Sequence, residues 1–147
     1  MAMKAIHTLK NNLQSIKASP ERISKGYALG IFLGTTPFIG TKVFIALGLT
    51  YILKWSKIAS VIGVYHINLF TAPFFYTLSF FIGKSVTQTQ LDFRFPYKMT
   101  LSSVFNLFVG NWEILKALLI GGLILGIPMA IMAYLFSSSI LKIQNNN

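Results

Sequence analysis

The sequence predicts an all-α integral membrane protein in which one membrane domain lies between two short terminal segments. Of its 147 residues, 54% are apolar and only 11% are charged, and the mean hydropathy is +0.63. A soluble domain carries about 25% charged residues, so this chain has too little charge to cover a water-exposed surface. The predicted organisation is an amphipathic segment at 1–18, a membrane domain at 19–142 and a disordered tail at 143–147.

The first predicted element is an amphipathic helix that lies on the membrane interface. Ile6, Leu9, Leu13 and Ile16 recur at three- to four-residue spacing, and lysines and amides occupy the other side. A basic amphipathic helix ahead of a membrane segment typically lies in the plane of the interface. A signal peptide is the less favoured interpretation, because there is no small-residue cleavage site and the apolar run starts too late.

The first apolar stretch begins after a helix-start signal, Ser19-Pro20-Glu21. From Gly26 to Leu53 the chain is apolar except for Lys42. As one helix this stretch would be on the order of 42 Å long, whereas the hydrocarbon core of a bilayer is ~30 Å thick. The helix must therefore tilt strongly or break. The sequence GTTPFIG supplies the break, and its predicted hinge residues are Gly34, Pro37 and Gly40.

A second stretch, Ile58 to Gly83, has the same construction and is interrupted between His66 and Phe74. The two interruptions align when they are shifted by 36 positions, which indicates an internal repeat, although chance similarity between apolar segments explains it about equally well. Paired Gly/Pro-interrupted segments are the best sequence indication of a transport or binding site. Pro73 is the predicted hinge here. The aligned pairs are Thr35 and Thr71, Pro37 and Pro73, Phe38 and Phe74, Thr41 and Thr77, and Phe44 and Phe80.

The third stretch, Ala117 to Leu141, is long enough to span a membrane once and is predicted as a C-terminal transmembrane helix. Glycines four residues apart occur in the first and third stretches. Such spacing lets helix backbones approach closely, so packing is favoured over a ligand role, and a homo-oligomer is compatible with it. The predicted packing residues are Gly26, Gly30, Gly122 and Gly126.

Basic residues leave two membrane arrangements open. The segment before Gly26 carries five basic residues and is therefore expected to stay in the cytoplasm. If the first two stretches are kinked spans, Lys54 and Lys57 lie outside the cell. If each stretch is a re-entrant hairpin, these lysines stay inside, which fits the charge bias better. Kinked spans are the commoner architecture, and the hairpins are slightly favoured here.

The candidate site lies at the two breaks. A lysine at the centre of a bilayer costs ~3 kcal/mol, so Lys42 requires a reason. If the helix breaks at Pro37, the Lys42 ammonium joins the N–H groups of the next helix N-terminus, where an anion such as a phosphate binds. Snorkelling of Lys42 to the interface explains it equally well. On one interpretation, Asn68 and Thr71 in the second break line the same cavity. On the other, they satisfy backbone groups freed by Pro73. The predicted lipid- or phosphate-binding residues are Lys42, Thr35, Thr36, Thr41, Asn68 and Thr71.

The residue inventory excludes most other functions. There is no cysteine, and only two histidines and three acids are present, so we expect no metal site, no cofactor and no enzyme activity. The net charge of +10 is spread between apolar segments, which argues against nucleic acid as a partner. This distribution favours anionic lipid headgroups.

Two segments, SPERISKGYALGIFLGTTPFIGTK and NLFTAPFFYTLSFFIGK, resemble the hallmark segments of a bacterial family of small membrane proteins, domain of unknown function two-zero-six-two. The resemblance covers roughly 19–141, and Gly121, Gly126 and Tyr134 resemble positions in the family's terminal helix. Leu69 replaces the proline of the family's Asn-Pro pair. The matching positions in the two segments are Ser19, Pro20, Ala28, Gly30, Gly34, Pro37, Gly40, Asn68, Thr71, Pro73, Tyr76 and Gly83.

This resemblance implies a bacterial inner-membrane protein. Some relatives are attached to glycosyltransferase domains, which implies a link to envelope glycolipids or their polyprenyl-phosphate carriers, and a glycosyltransferase as partner. The favoured hypothesis is a protein that binds or translocates an anionic lipid or lipid-linked phosphate. The alternative is a non-transporting scaffold that anchors an envelope biosynthesis enzyme. An ion channel fits the size, but the sequence has no ring-forming acid or evident filter.

Overall fold

The computed structural model describes residues 18–38, 40–67, 71–88 and 110–145, together with Thr8, Thr100, Ser102 and Asn106. These residues form helices without strands, as predicted. The predicted amphipathic helix at 1–18 lies almost entirely outside the described residues. The helices with their bounds are α1 Pro20–Thr35, α2 Lys42–Ile52, α3 Lys57–His66, α4 Ala72–Thr87 and α5 Trp112–Asn145.

The first apolar stretch is broken where the sequence predicts. Helix α1 has Ser19 as its N-cap and Pro20 at its first position, and it ends at Thr35. Thr36 is extended, with ψ 151°, because a residue before a proline is disfavoured in helical conformation. Gly40 then has φ +81°, a left-handed conformation that glycine adopts without strain. Helix α2 begins two residues later, at Lys42.

Helices α1 and α2 form an antiparallel hairpin. After α2, the chain returns to the start of α1, where the Arg22 side chain donates a hydrogen bond to the carbonyl of Lys54 at 2.5 Å. The backbone N–H of Ser56 donates to the carbonyl of Arg22 at 3.0 Å. These two bonds hold both outer ends of the hairpin together, so the first stretch enters and leaves at one end of the helix bundle.

Helix α3 packs against α1 in the parallel direction. Gly26 faces Ser56, Gly30 faces Ser60, and Gly34 faces Ile67, so the contact positions increase together along both helices. A Cβ at Gly30 would overlap the carbonyl oxygen of Ser60. The two backbones are therefore in direct contact at Gly30, and only a glycine fits there.

Helix α5 runs antiparallel to both α1 and α4. Gly122 faces the end of α1 at Thr35, and near the opposite end of α5 Leu141 packs in one cluster with Ile23. A Cβ at Gly83 of α4 would overlap the carbonyl of Ala117. Gly121, one turn further along α5, contacts Ser79, one turn earlier in α4. Helix α4 therefore points in the same direction as α1 and α3.

The two interrupted stretches consequently differ in direction. The first folds back on itself as α1 and α2, whereas the second continues in one direction through its break, as α3 and then α4. The first stretch is thus a helical hairpin, and the second contains two helices that point in the same direction. The difference arises because Ser79 and Gly83 pack on Gly121 and Ala117, which keeps α4 antiparallel to α5.

Helix α5 is the longest element, with 34 residues and a length on the order of 51 Å. Within the described part of the chain, its segment Trp112–Lys142 is the one helix long and apolar enough to cross a membrane. The helix begins before the predicted stretch because the Asn111 side chain accepts a hydrogen bond from the N–H of Glu113, as an N-cap does. It also extends through 143–145, into the predicted tail.

Candidate functional site

Lys42 lies at the break between α1 and α2 and connects three helices. Its ammonium nitrogen is 3.3 Å from the carbonyl oxygen of Gly34 in α1 and 3.2 Å from the hydroxyl oxygen of Tyr76 in α4. The same nitrogen is 5.7 Å from the centroid of the Tyr76 ring. Carbonyls in the last turn of a helix lack intrahelical donors, and a cation there interacts favourably with the helix dipole. Lys42 therefore stabilises the end of α1.

The described acidic side chains are engaged elsewhere. Glu21 forms an ion pair with Lys25 at 2.5 Å, and Glu113 forms one with Lys116 at 2.9 Å. Both pairs are exposed and lie within single helices. The oxygens that face the half-buried Lys42 in the described structure are thus neutral ones. An ammonium group has three donors, and two of them point to Gly34 and Tyr76, so among the described residues one donor is left for a further acceptor.

Thr35 and Thr36 are buried, and their hydroxyls donate to backbone carbonyls. The hydroxyl of Thr35 lies 2.7 Å from the carbonyl oxygen of Phe32 and 3.2 Å from that of Gly122 in α5. The hydroxyl of Thr36 lies 2.7 Å from the carbonyl oxygen of Leu33. A hydroxyl has a single hydrogen to donate, so neither threonine has a donor for an anion in this arrangement. They satisfy carbonyls at the end of α1 instead.

The remaining predicted site residues occupy the two breaks. Thr41 is the exposed N-cap of α2 and makes no capping hydrogen bond through its side chain. Thr71 is the N-cap of α4 and is also exposed. Asn68 lies outside the described residues. Lys42 and Thr41 thus lie at the start of α2, and Thr35 and Thr36 are buried at the end of α1.

Residues that align between the two interruptions lie at different positions relative to the helices. Thr35 is the last residue of α1, whereas Thr71 precedes α4. Pro37 is buried in the connection between two helices. Pro73 lies in the first turn of α4, where the missing N–H of a proline leaves no hydrogen bond unmade. The sequence alignment of the interruptions therefore does not correspond to equivalent backbone positions.

The predicted packing glycines lie in helix contacts. Gly26 and Gly30 face α3, and Gly122 and Gly126 face the end of α1 at Thr35 and Phe32. These contacts place the hairpin break beside the middle of α5.

Sequence reasoning missed Tyr76 as a site residue. Its side chain is only 4% exposed, and its hydroxyl contacts Lys42. The sequence does indicate that Tyr76 has a polar partner, because it is a tyrosine within an apolar helix and a buried hydroxyl almost always has a hydrogen-bond partner. The partner itself was not predictable, since Lys42 and Tyr76 are 34 residues apart.

In the part of the chain that the structure describes, fold and site define an all-helical protein with one candidate membrane-spanning helix. A lysine forms hydrogen bonds at the break of its helical hairpin. The chain belongs to the DUF2062 family, described as "uncharacterized protein conserved in bacteria", whose family model matches residues 3–147. This match confirms the resemblance of the two interrupted segments. No curated protein and no solved structure matches the chain.

Proposed function

We propose that the protein lies in the bacterial inner membrane and binds an anionic lipid or a lipid-linked phosphate, with Lys42 contacting the phosphate. The observation that best supports this proposal is the position of the Lys42 ammonium. It lies at the break of a helical hairpin and faces neutral oxygens in the described structure. Binding, or translocation of the bound lipid, would serve envelope glycolipid metabolism.

The directions of the helices support a membrane arrangement with one re-entrant hairpin and two spans. Helix α1 has 16 residues and a length of ~24 Å, which is shorter than the ~30 Å hydrocarbon core, and α2 returns the chain to the same end. Helices α3 and α4 run in one direction and contain 26 helical residues, or ~39 Å. Together, α3 and α4 are long enough to cross the hydrocarbon core once, and α5 crosses it in the opposite direction.

Charges orient this arrangement. The end of the bundle at which α1 begins carries five basic residues in the described structure: Arg22, Lys25, Lys54, Lys57 and Lys142. At the other end lie Lys84 and the ion pair of Lys116 with Glu113. Basic residues are enriched on the cytoplasmic side of membrane proteins. This difference in charge supports a cytoplasmic position for the start of α1.

An anion suits Lys42 for an electrostatic reason. A lysine within an apolar segment is costly, and a phosphate oxygen would offset its charge where a carbonyl and a phenol only solvate it. Lys42 is also the first residue of α2, so a phosphate beside it would face N–H groups of a helix N-terminus. The donor left over on the ammonium, together with these N–H groups, forms the binding site.

The test compares polyprenyl phosphate with the uncharged polyprenol by native mass spectrometry of the detergent-solubilised protein. A hydrogen bond to a charged group contributes ~1.5–3 kcal/mol, so we expect Lys42→Met to reduce the preference for the phosphate by about 10-fold or more. Lys84→Met, which removes a lysine from α4 near the opposite end of the bundle, is the matched control and should retain the preference.

The Tyr76→Phe variant tests whether the phosphate preference depends on the charge of Lys42 or on the contact between Lys42 and Tyr76. It removes the hydroxyl that faces Lys42 but keeps the ammonium, and the phosphate preference should stay within about threefold of the original protein, well below the loss at Lys42. If Lys42→Met remains folded and retains the full preference, the proposal fails, and the scaffold that anchors an envelope enzyme becomes the better hypothesis.

A further inference from the structure

An open groove of about 380 Å³ lies between α1 and α5. Ala28, Leu29 and Phe32 form its α1 wall, and Ala130 and Ile131 form its α5 wall. All five side chains are hydrocarbon. Ligand cavities range from ~300 to 1,000 Å³, so the groove has room for a slender apolar ligand.

One end of the groove is different in character. Lys25, Trp55 and Tyr134 line it there, at the end of the bundle where α1 begins. Lysine, tryptophan and tyrosine are the residues that typically lie at the level of lipid headgroups. We call this end the mouth of the groove. Because the groove is amphipathic at its mouth and apolar inside, it matches a lipid whose headgroup lies at the mouth.

The mouth is strongly cationic. Arg22 and Lys54 are joined by a hydrogen bond beside it, and Lys57 lies over the ring of Tyr51, 4.7 Å from its centroid. The carboxyl group of Glu21 is the described acid at this end. Its hydrogen bond to Lys25 lowers its pKa, and the charge of Lys142 lowers it further. Glu21 thus experiences a positive field that an anionic headgroup would also experience.

We infer that this groove binds one hydrocarbon chain of an anionic phospholipid from the cytoplasmic leaflet, with the phosphate at Lys25. The site is distinct from the Lys42 centre, because neither Lys42 nor its partners Gly34 and Tyr76 line the groove. It holds a lipid in its ordinary orientation. The inference rests on the membrane orientation proposed above but not on lipid binding at Lys42.

Charge favours a lipid over protein occupants of the groove. The segment before Ala18 carries Lys4, Lys10 and Lys17 and no acid, so the cationic mouth would repel it. The same mouth on a second copy of the chain carries the same charges. Phosphate supplies the complementary charge, and an acyl chain supplies the complementary shape.

The chain contains its own reporters for a test. It has two tryptophans: Trp55 lines the groove, and Trp112 lies exposed at the opposite end of α5. The Trp112→Phe variant therefore reports on the groove alone, and the Trp55→Phe variant serves as the matched control. Both would be reconstituted in vesicles of phosphatidylcholine that contain a rising fraction of phosphatidylglycerol or phosphatidylcholine with brominated chains, which quench tryptophan fluorescence.

We expect brominated phosphatidylglycerol to quench Trp55 at a mole fraction about fivefold lower than brominated phosphatidylcholine, the ratio that one engaged basic residue produces. Trp112 should show at most half this preference. Equal quenching of Trp55 by the two lipids would overturn the inference. So would an absence of Trp55 quenching by either lipid while Trp112 is quenched, because another part of the protein would then fill the groove.

Two pairs of variants localise the effect. Ala130→Phe fills the groove and should abolish the preference at Trp55, whereas Met132→Phe, on the exposed face of α5, should retain it. Lys25→Gln should also abolish it. Lys116→Gln, which breaks the comparable ion pair at the other end of the bundle, should not. If filling the groove leaves the preference unchanged, the lipid binds elsewhere and the inference is wrong.

Discussion

Gly83 of α4 lies directly against the backbone of Ala117 in α5, so closely that a Cβ at Gly83 would overlap the carbonyl oxygen of Ala117. Together with the contact between Gly121 and Ser79, this approach sets α4 antiparallel to α5. It therefore determines that the second interrupted stretch continues in one direction instead of folding back.

The first prediction concerns this contact. Gly83→Ala should destabilise the protein by ~1–3 kcal/mol, because the added methyl group forces two backbones apart. Gly48→Ala is the matched control, since nothing lies within 4 Å of a Cβ at Gly48 in α2. That control should stabilise by ~0.5–1 kcal/mol, because alanine loses less backbone entropy in a helix than glycine does. Denaturant unfolding in detergent measures both changes, and equal effects at the two glycines would contradict the contact.

The second prediction distinguishes one hairpin from two. The protein has no cysteine, so Lys57→Cys and Gln88→Cys each introduce a single thiol, and both positions are exposed. With one re-entrant hairpin, a membrane-impermeant maleimide should label Cys at 88 in intact cells, whereas Cys at 57 should require lysis. Two hairpins would protect both positions, and two kinked spans for the first two stretches would expose position 57.

The break in the first stretch was predictable because its causes are local. Pro37 disfavours a helical conformation at Thr36, and Gly40 adopts a left-handed conformation. Such effects act over a few residues and are visible in the sequence. The direction of α4 was not predictable, since the interruptions at TTPF and TAPF are alike and the deciding contacts join residues far apart in the chain, at Gly83 and Ala117.

The candidate site was predictable only in part, for a similar reason. Lys42 stands out as a cation in an apolar stretch, but its neighbour Tyr76 comes from a different helix. The sequence also shows the hydroxyls of Thr35 and Thr36, but not their acceptors. Each hydroxyl donates to a carbonyl three residues earlier in its own helix, a bond that threonine makes readily in or next to a helix.

The third prediction follows from the threonine geometry. Thr35→Val keeps the shape of the side chain but removes the hydrogen bonds to Phe32 and Gly122, and it should destabilise the protein by ~1–2 kcal/mol. Thr35→Ser should recover most of this loss. Neither variant should change the preference for polyprenyl phosphate over polyprenol, because the hydroxyl donates to carbonyls. A loss of preference in Thr35→Val that Thr35→Ser restores would mean that the Thr35 hydroxyl rearranges to contact the phosphate.

The fourth prediction concerns the pair formed by Lys42 and Tyr76. Their contact joins the hairpin to α4 at 3.2 Å, so the single variants Lys42→Met and Tyr76→Phe should each destabilise the unliganded protein. The double variant should be less destabilised than the sum of the single effects, by ~0.5–3 kcal/mol, as expected for residues in direct contact.

The same cycle also tests what a phosphate does to the pair. Polyprenyl phosphate stabilises any folded form that binds it, and its negative charge at the remaining donor of the Lys42 ammonium attracts the ammonium away from Tyr76. The coupling between Lys42 and Tyr76, measured by denaturant unfolding, should therefore shrink when saturating polyprenyl phosphate is present and remain unchanged with polyprenol. A coupling that is the same with both ligands would place the phosphate away from Lys42, since we expect the charge of an anion at the remaining donor to draw the ammonium from the tyrosine hydroxyl.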